Sequence, residues 1–343
     1  MLNAQEIKER MEQVNDYWIG QTPDLGDCAW ERAAYYLGDL AAYEVLGKPE
    51  YLERAAAWAT ANGWNFYDNE KFNTTNADNL SCGETYMDLM LRFGVSGDWT
   101  PMKRTMEFTA ADPANDYWWW VDTMYMALNF YNRIGLHLGD SRLLDKAYRL
   151  FQNSKTERGC YDEETCLWFR DEAFLPEKAR TRSGKKVFWS RGNGWVLAGL
   201  ARTLRTLPAD CRYRAEYCEV FVPMARAICR CQSPDGFWRT SLLEPDEFPM
   251  PETSGTALNV LGLLIGVRLG LLGEDSLRCA LRGFDALNRE AVEPSGRIGW
   301  VQTVALKPGP VLKECTNDYA VGTYLLICRE LLGWMAERND GTL

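Results

Sequence analysis

The chain has 343 residues, 46% hydrophobic and 25% charged, a globular composition with ample material for a core. Its net charge of −10 argues against nucleic acid or an anionic membrane as the main partner, since both need a basic patch. No apolar run reaches the ~20 residues needed to span a bilayer.

Taken in chain order, the first segment, MLNAQEIKERMEQVNDYW, is charged and amphipathic and does not read as a secretory signal. Cytoplasm and periplasm are both compatible with it. Apolar residues then recur at three- and four-residue steps over 2–18, 29–46, 50–62, 80–93, 99–110, 118–134, 141–152, 194–207, 212–231, 254–269, 275–289 and 317–336, which predicts about twelve helices. A hairpin is expected in CYDEETCLWFRDEAF (160–174), where turn-forming residues flank an aromatic run. The segments LGKPEYLERAAAWA (46–59), SGDWTPMKRTMEFT (96–109), LGDSRLLDKAYRLF (138–151) and LGEDSLRCALRGFD (272–285) share one pattern. In each, a glycine suited to end one helix in the left-handed conformation precedes a short turn and a new helix. Such self-similarity marks stacked helix pairs. A closed (α/α)6 barrel fits better than an open solenoid, because a ring leaves no apolar end to cap. No composition shift divides the chain, so residues 1–343 are expected to form one domain. The long irregular stretches 154–193, 232–253 and 291–316 are expected to line one mouth of the barrel.

The eleven cysteines are scattered without a CxxC motif and read as reduced core residues. His137 is the only histidine and sits at a helix C-terminus, where a structural role is expected. This removes Ser-His-Asp and Cys-His catalysis and most zinc sites. Proton transfer then falls to carboxylates, Tyr, Lys or Cys. In DYWWWVDTMYMALNFY, Asp122 follows Trp118, Trp119 and Trp120 and is read as lying within an apolar helix. A carboxyl there must be paired, hydrogen-bonded or protonated, and burial raises its pKa toward what a general acid needs. Asp78, in NTTNADNLSCGETYMDLM, reads either as a second site carboxylate or as a helix N-cap. In FWSRGNGWVLAGL, Arg191 offers a planar fork for a carboxylate, with Asn193 beside it and Trp189 and Trp195 as stacking faces. The loop QSPDGFWRTSLLEPDEFPMPETSGTAL adds Trp238 and Arg239, with Glu252 as a weaker catalytic candidate and Thr253 or Ser254 as a helix cap.

WWWVD, WSRGNGW, SPDGFWR and PETSGTA, in this order and spacing, resemble glycoside hydrolase family 105, the unsaturated rhamnogalacturonyl hydrolases, and the related family 88 of unsaturated glucuronyl hydrolases. The resemblance implies an all-α (α/α)6 barrel acting on oligosaccharides that end in a 4,5-unsaturated uronic acid. The implied reaction is hydration of the C4=C5 vinyl ether, with no metal or organic cofactor and no nucleic acid or membrane partner. It assigns Asp122 as general acid/base and Asp78 as the second aspartate. Arg191 and Trp195 match substrate-binding positions, and Tyr35 is expected to line the pocket. Many members carry a histidine shortly before WSRGNGW; here Asp162, Trp168 or Arg170 stands in that region. Rival readings are an ordinary glycosidase or a lyase on the same barrel, and a non-catalytic sugar-binding barrel, monomeric or homodimeric.

Overall fold

The computed structural model describes residues 2–339. Thirteen α-helices occur among the described residues: α1 (Ala4–Gln21), α2 (Trp30–Leu46), α3 (Pro49–Ala61), the short α4 (Ala77–Leu80), α5 (Cys82–Leu91), α6 (Thr100–Ala111), α7 (Asn129–Leu138), α8 (Ser141–Gln152), α9 (Ser190–Thr206), α10 (Arg214–Arg230), α11 (Thr253–Arg268), α12 (Glu274–Ala286) and α13 (Asp318–Asn339). Two short strands, β1 (Tyr161–Asp162) and β2 (Leu167–Trp168), form the expected hairpin.

Packing follows the apolar patterning. Helix α11, TSGTALNVLGLLIGVR, is buried from Thr253 to Gly266, as a helix hydrophobic all round must be. Helices α8 and α12 bury one stripe and expose the other, and so form an outer layer. The inner helices touch in a closed cycle: α2 on α5, α5 on α7, α7 on α9, α9 on α11, α11 on α13, and α13 back on α2. Helices α1, α3, α6, α8, α10 and α12 cover them, each antiparallel to its inner partner. This is the (α/α)6 barrel. The cycle closes where α2 and α13 cross at glycines: a Cβ on Gly38 would overlap the Gly322 carbonyl, and one on Gly322 would overlap the Ala34 carbonyl.

The repeat lies where inner helices hand over to outer ones. Gly47 (φ 68°) and Gly139 (φ 65°) end α2 and α7 in the left-handed conformation, as expected. In the other two copies Gly97 and Gly273 do not; Gly94 and Gly270, earlier in the turns, take that conformation instead. These handovers are short. The return connections 22–29, 62–76, 112–123, 158–189, 231–252 and 292–317 are mostly long, and all meet at the mouth formed by the N-termini of the inner helices.

One helix boundary departs from the periodicity. Residues 118–123 form no helix; Trp118–Trp120 run irregularly into a turn, and a π-helical turn, Met124–Leu128, opens α7. Tertiary contacts override the local pattern: Val121 N–H donates to the Arg170 carbonyl (3.0 Å), and Ser154 Oγ donates to the Trp118 carbonyl. Among the described residues no helix is long and apolar enough to cross a membrane. All eleven cysteines are free, and Cys28, Cys82, Cys160, Cys279 and Cys328 are buried. His137 stacks on Trp99 (4.7 Å), away from the mouth that holds Asp122.

Candidate active site

The inner-helix N-termini gather the candidate residues. Asp122 sits in the turn that opens the π-helical segment, and its carbonyl accepts from Tyr125 N–H (2.9 Å) and Met126 N–H (3.2 Å). The backbone thus anchors the residue while the carboxyl stays largely uncommitted. Its Oδ1 is sealed from solvent and accepts no hydrogen bond. Burial pushes this carboxyl up to about 6, against the positive charges of Arg170 and Arg191.

Asp78 lies in the first turn of α4. It is not the N-cap; Asn76 is, its side chain accepting from Asp78 N–H at 2.9 Å. The Asp78 carboxyl is therefore spared for the mouth. Burial, then the charge of Asp122, push it up to about 7, opposed by Arg170 and by the neighbouring Trp120 side chain. Two carboxyls that feel each other titrate as a pair, so these values belong to the couple. The pair retains a proton close to neutrality. Trp120 (5% exposed) packs against the half-exposed Trp119 at 4.8 Å.

Aromatic rings form the floor. Trp195 is buried, edge-on to Trp30 (6.1 Å) and tilted against Tyr125 (4.5 Å), and Trp30 stacks on Tyr319 (5.2 Å). Trp30 and Tyr319 were not among the sequence candidates. Nor were Glu31 and Asp318, in the first turns of α2 and α13. Burial raises both, each further pushed by neighbouring carboxylates; Arg191 opposes the rise at Glu31 and Arg32 (3.4 Å) at Asp318. The signal that would have found them is positional: acidic first turns on inner helices.

Several sequence candidates have a different place. Arg191 is 1% exposed, and both of its terminal nitrogens are bonded while Nε is not. Nη1 donates to Gln302 O (2.6 Å), Tyr319 OH (3.2 Å) and Ser254 Oγ (3.3 Å), and Nη2 to Thr303 O (3.0 Å). It pins the 300–304 loop, and its charge reaches Asp122 from there. Trp189 lies under that guanidinium (4.5 Å) and donates to Gln302 Oε1 (2.8 Å). Asn193 is fully buried, giving to the carbonyls of Trp168 (2.9 Å) and Trp189 (3.0 Å) and accepting from Trp168 N–H (2.8 Å). It fastens β2 to α9. Trp238 is buried with its indole N–H on Ile228 O (2.7 Å), inside the outer layer. Tyr35 is also buried and faces α1, donating to Asn15 Oδ1 (2.9 Å). Arg239 pairs with Asp235 (2.6 Å). Glu252, not Thr253 or Ser254, caps α11: its carboxylate accepts from Ser254 N–H and Gly255 N–H, both at 2.7 Å. Of the three residues singled out before WSRGNGW, Asp162 pairs with Lys186 (2.8 Å) and Trp168 is buried, whereas the charge of Arg170 acts on both aspartates.

Several known proteins resemble this chain in sequence and fold. An unsaturated 3S-rhamnoglycuronyl hydrolase from Formosa agariphila is 28% identical, over 96% of this chain and 92% of that protein. A solved structure described as a polysaccharide lyase is 33% identical, with a TM-score of 0.90 over 97% of this chain and 98% of that one. A family 88 glycosyl hydrolase from Bacteroides vulgatus is 30% identical, also with a TM-score of 0.90, over 97% of this chain and 100% of that one. Residues 3–334 match the family described as Glycosyl Hydrolase Family 88, so the protein belongs to that family and is a glycoside hydrolase.

Proposed function

We propose that the protein removes a 4,5-unsaturated uronic acid from the non-reducing end of lyase-generated oligosaccharides by hydrating the C4=C5 vinyl ether. The observation that carries this reading is the pairing of Asp122, with a sealed and unpartnered Oδ1, with Asp78 at one mouth of the barrel. Protonated Asp122 gives its proton to C4, and positive charge develops at C5 and the ring oxygen. Water adds at C5 and returns a proton to the Asp122 carboxylate. The resulting C5 hemiketal opens to a ketone, C1 becomes a hemiacetal, and its collapse releases the remaining saccharide as an alcohol. One water is consumed and Asp122 ends as it began. Asp78, pushed up to about 7 by burial and by the charge of Asp122, limits the negative charge on the site near neutral pH. Trp30, part-buried and backed by the buried rings of Tyr319 and Trp195, provides a face for the sugar. The name of the Formosa relative favours a rhamnose beyond the uronate.

A second reading, β-elimination, is favoured by the relative described as a polysaccharide lyase. Ultraviolet absorbance separates the two by sign. Hydration destroys the conjugated C4=C5 bond and absorbance falls; elimination creates it and absorbance rises. Unsaturated disaccharides and their saturated parent glycans are the two substrates to compare, with Asp122→Asn as control. A fall on the first that the variant abolishes supports hydration. A rise on the second, without a fall on the first, would overturn it.

A further inference from the structure

Resting on the hydration reading, we propose that Arg170, and not Arg191, receives the carboxylate of the unsaturated uronate and thereby sets the acidity of the sugar the site accepts. The two arginines differ in what their guanidinium groups already hold. Arg191 has three acceptors on Nη1 and one on Nη2; its Nε is unpartnered, but the Nε–Nη2 edge is already half taken by the Thr303 carbonyl. Arg170 is 8% exposed and has a single carboxylate partner, Asp171, on Nη1 (2.5 Å). Its Nε is buried and donates to nothing, and Nη2 has no acceptor among the described residues. Nε and Nη2 form one edge of the guanidinium, two parallel N–H groups matched to the two oxygens of a carboxylate. A buried donor left without an acceptor destabilises the free protein, and an incoming carboxylate relieves that penalty.

The edge is also in the right place. Of the positive charges acting on Asp122, that of Arg170 acts most strongly, and it acts on Asp78 as well. Its backbone carbonyl holds Val121 N–H, one residue before Asp122. Trp119 lies over the guanidinium at 5.1 Å and is itself 47% exposed. The uronate carboxylate is attached to C5, the atom that takes water. Fixing it on Arg170 would orient C4 and C5 relative to the Asp122 carboxyl. Asp171 supports the arrangement: its Oδ2 holds Nη1, and its Oδ1 is itself fixed by Ala173 N–H (2.7 Å).

The test compares free-acid and methyl-ester forms of one unsaturated disaccharide in wild type, Arg170→Gln and Arg170→Lys. A parallel arm uses the same disaccharide with and without a sulfate on the second sugar. Esterification is expected to lower wild-type kcat/KM roughly 10- to 100-fold, mainly through KM, and to leave Arg170→Gln nearly indifferent. Arg170→Lys, which keeps the charge without the fork, should keep part of the preference. Equal ester penalties in wild type and Arg170→Gln would overturn the assignment. So would indifference of Arg170→Gln to the sulfate and not to the ester. Should Arg170→Gln fail to fold, Arg170→Lys decides: an ester penalty as large as that of wild type counts against the fork. Wild type that turns over no unsaturated disaccharide, acid or ester, brings down the hydration reading and this assignment with it, an outcome distinct from the others.

Discussion

The two mouths of the barrel are built from the same residue types and behave in opposite ways. At the N-terminal mouth, Asp78 and Asp122 are pushed up to about 7 and about 6, because burial outweighs the charges nearby. At the C-terminal mouth a cavity of about 560 Å³ is lined by Arg92, Arg133, Arg202, Arg205, Arg268 and Arg329 together with Glu44, Glu84, Asp88 and Glu330. There burial also pushes carboxyls up, yet Asp88 and Glu330 are held well below the usual range by direct arginine partners. Glu330, fully buried, is met by Arg205 (2.7 Å), Arg268 (2.5 Å) and Arg329 (3.0 Å). Asp88 is met by Arg133 (2.5 Å) and Arg92 (3.0 Å). The parallel inner helices all end at this mouth, and cations at helix C-termini complement the backbone dipoles. Burial alone therefore does not make a reactive carboxyl. What separates the mouths is whether a guanidinium has been brought into contact, and the cavity at the C-terminal mouth is the one whose charges are already matched.

The contrast is open to attack at both ends. The largest effect is expected from Asp122→Asn, which should lower kcat roughly 10²- to 10⁴-fold in the ultraviolet assay on whichever unsaturated disaccharide wild type accepts. It should not lower the unfolding midpoint at pH 7.5, since it replaces a carboxyl that is costly to ionise. A variant that is both inactive and unstable would place Asp122 with the structural carboxylates. Glu330→Gln should do the reverse. It leaves buried arginine charge uncompensated and is expected to cost about 3 kcal/mol in urea unfolding, with kcat unchanged.

The pH dependence sharpens the same difference. Asp78 and Asp122 have folded pKa values above the unfolded value near 4, so their stabilising contribution is complete below about 4 and is lost as pH rises through about 6 to 7. Asp88 and Glu330 are depressed, so theirs is present above about 4 and is lost as pH falls through their lower folded values. Unfolding midpoints of wild type and the Asp78→Asn/Asp122→Asn double variant should therefore diverge between about pH 4 and 7, wild type falling relative to the variant. Over the same scale, kcat/KM should decline about tenfold per pH unit once pH exceeds about 7. A kcat/KM that rises through this range would remove the proton-donor role. The smallest effect is expected from Trp238→Phe. Losing the bond to Ile228 O should cost about 1 kcal/mol of stability, and KM for the disaccharide should not move, because this indole faces the outer layer.

Much of this was legible in the sequence because it rests on local chemistry. The helix set follows from apolar periodicity, and the handover glycines follow from backbone conformation, though in two turns a neighbouring glycine takes the expected place. Asp122 could be singled out because a carboxyl among tryptophans needs an explanation, whereas Asp78 reads locally as a helix cap and entered the site only through the family resemblance. The turn at 118–123 was not legible, since the groups that unwind it come from Arg170 and Ser154. The occupancy of the Arg191 fork was equally hidden: its acceptors at residues 302 and 303 are more than a hundred residues downstream. From composition, Trp238 and Asn193 look like sugar ligands. Which tryptophans are wet and which polar side chains are already bonded is decided by the assembled fold, and there both are internal fastenings.

The asymmetry between short inner-to-outer handovers and long return connections has a practical side. Segments 62–76, 112–123, 231–252 and 292–317 all reach the catalytic rim, while the glycine crossing that shuts the ring and the arginine-rich plug lie elsewhere. A mutagenesis library confined to the exposed positions of those four segments, sparing Asp122 and fastenings such as Trp118, Trp238 and Glu252, would resample which sugars are accepted while leaving the parts that determine folding yield untouched. Randomising the handovers would spend most of its members on chains that never close.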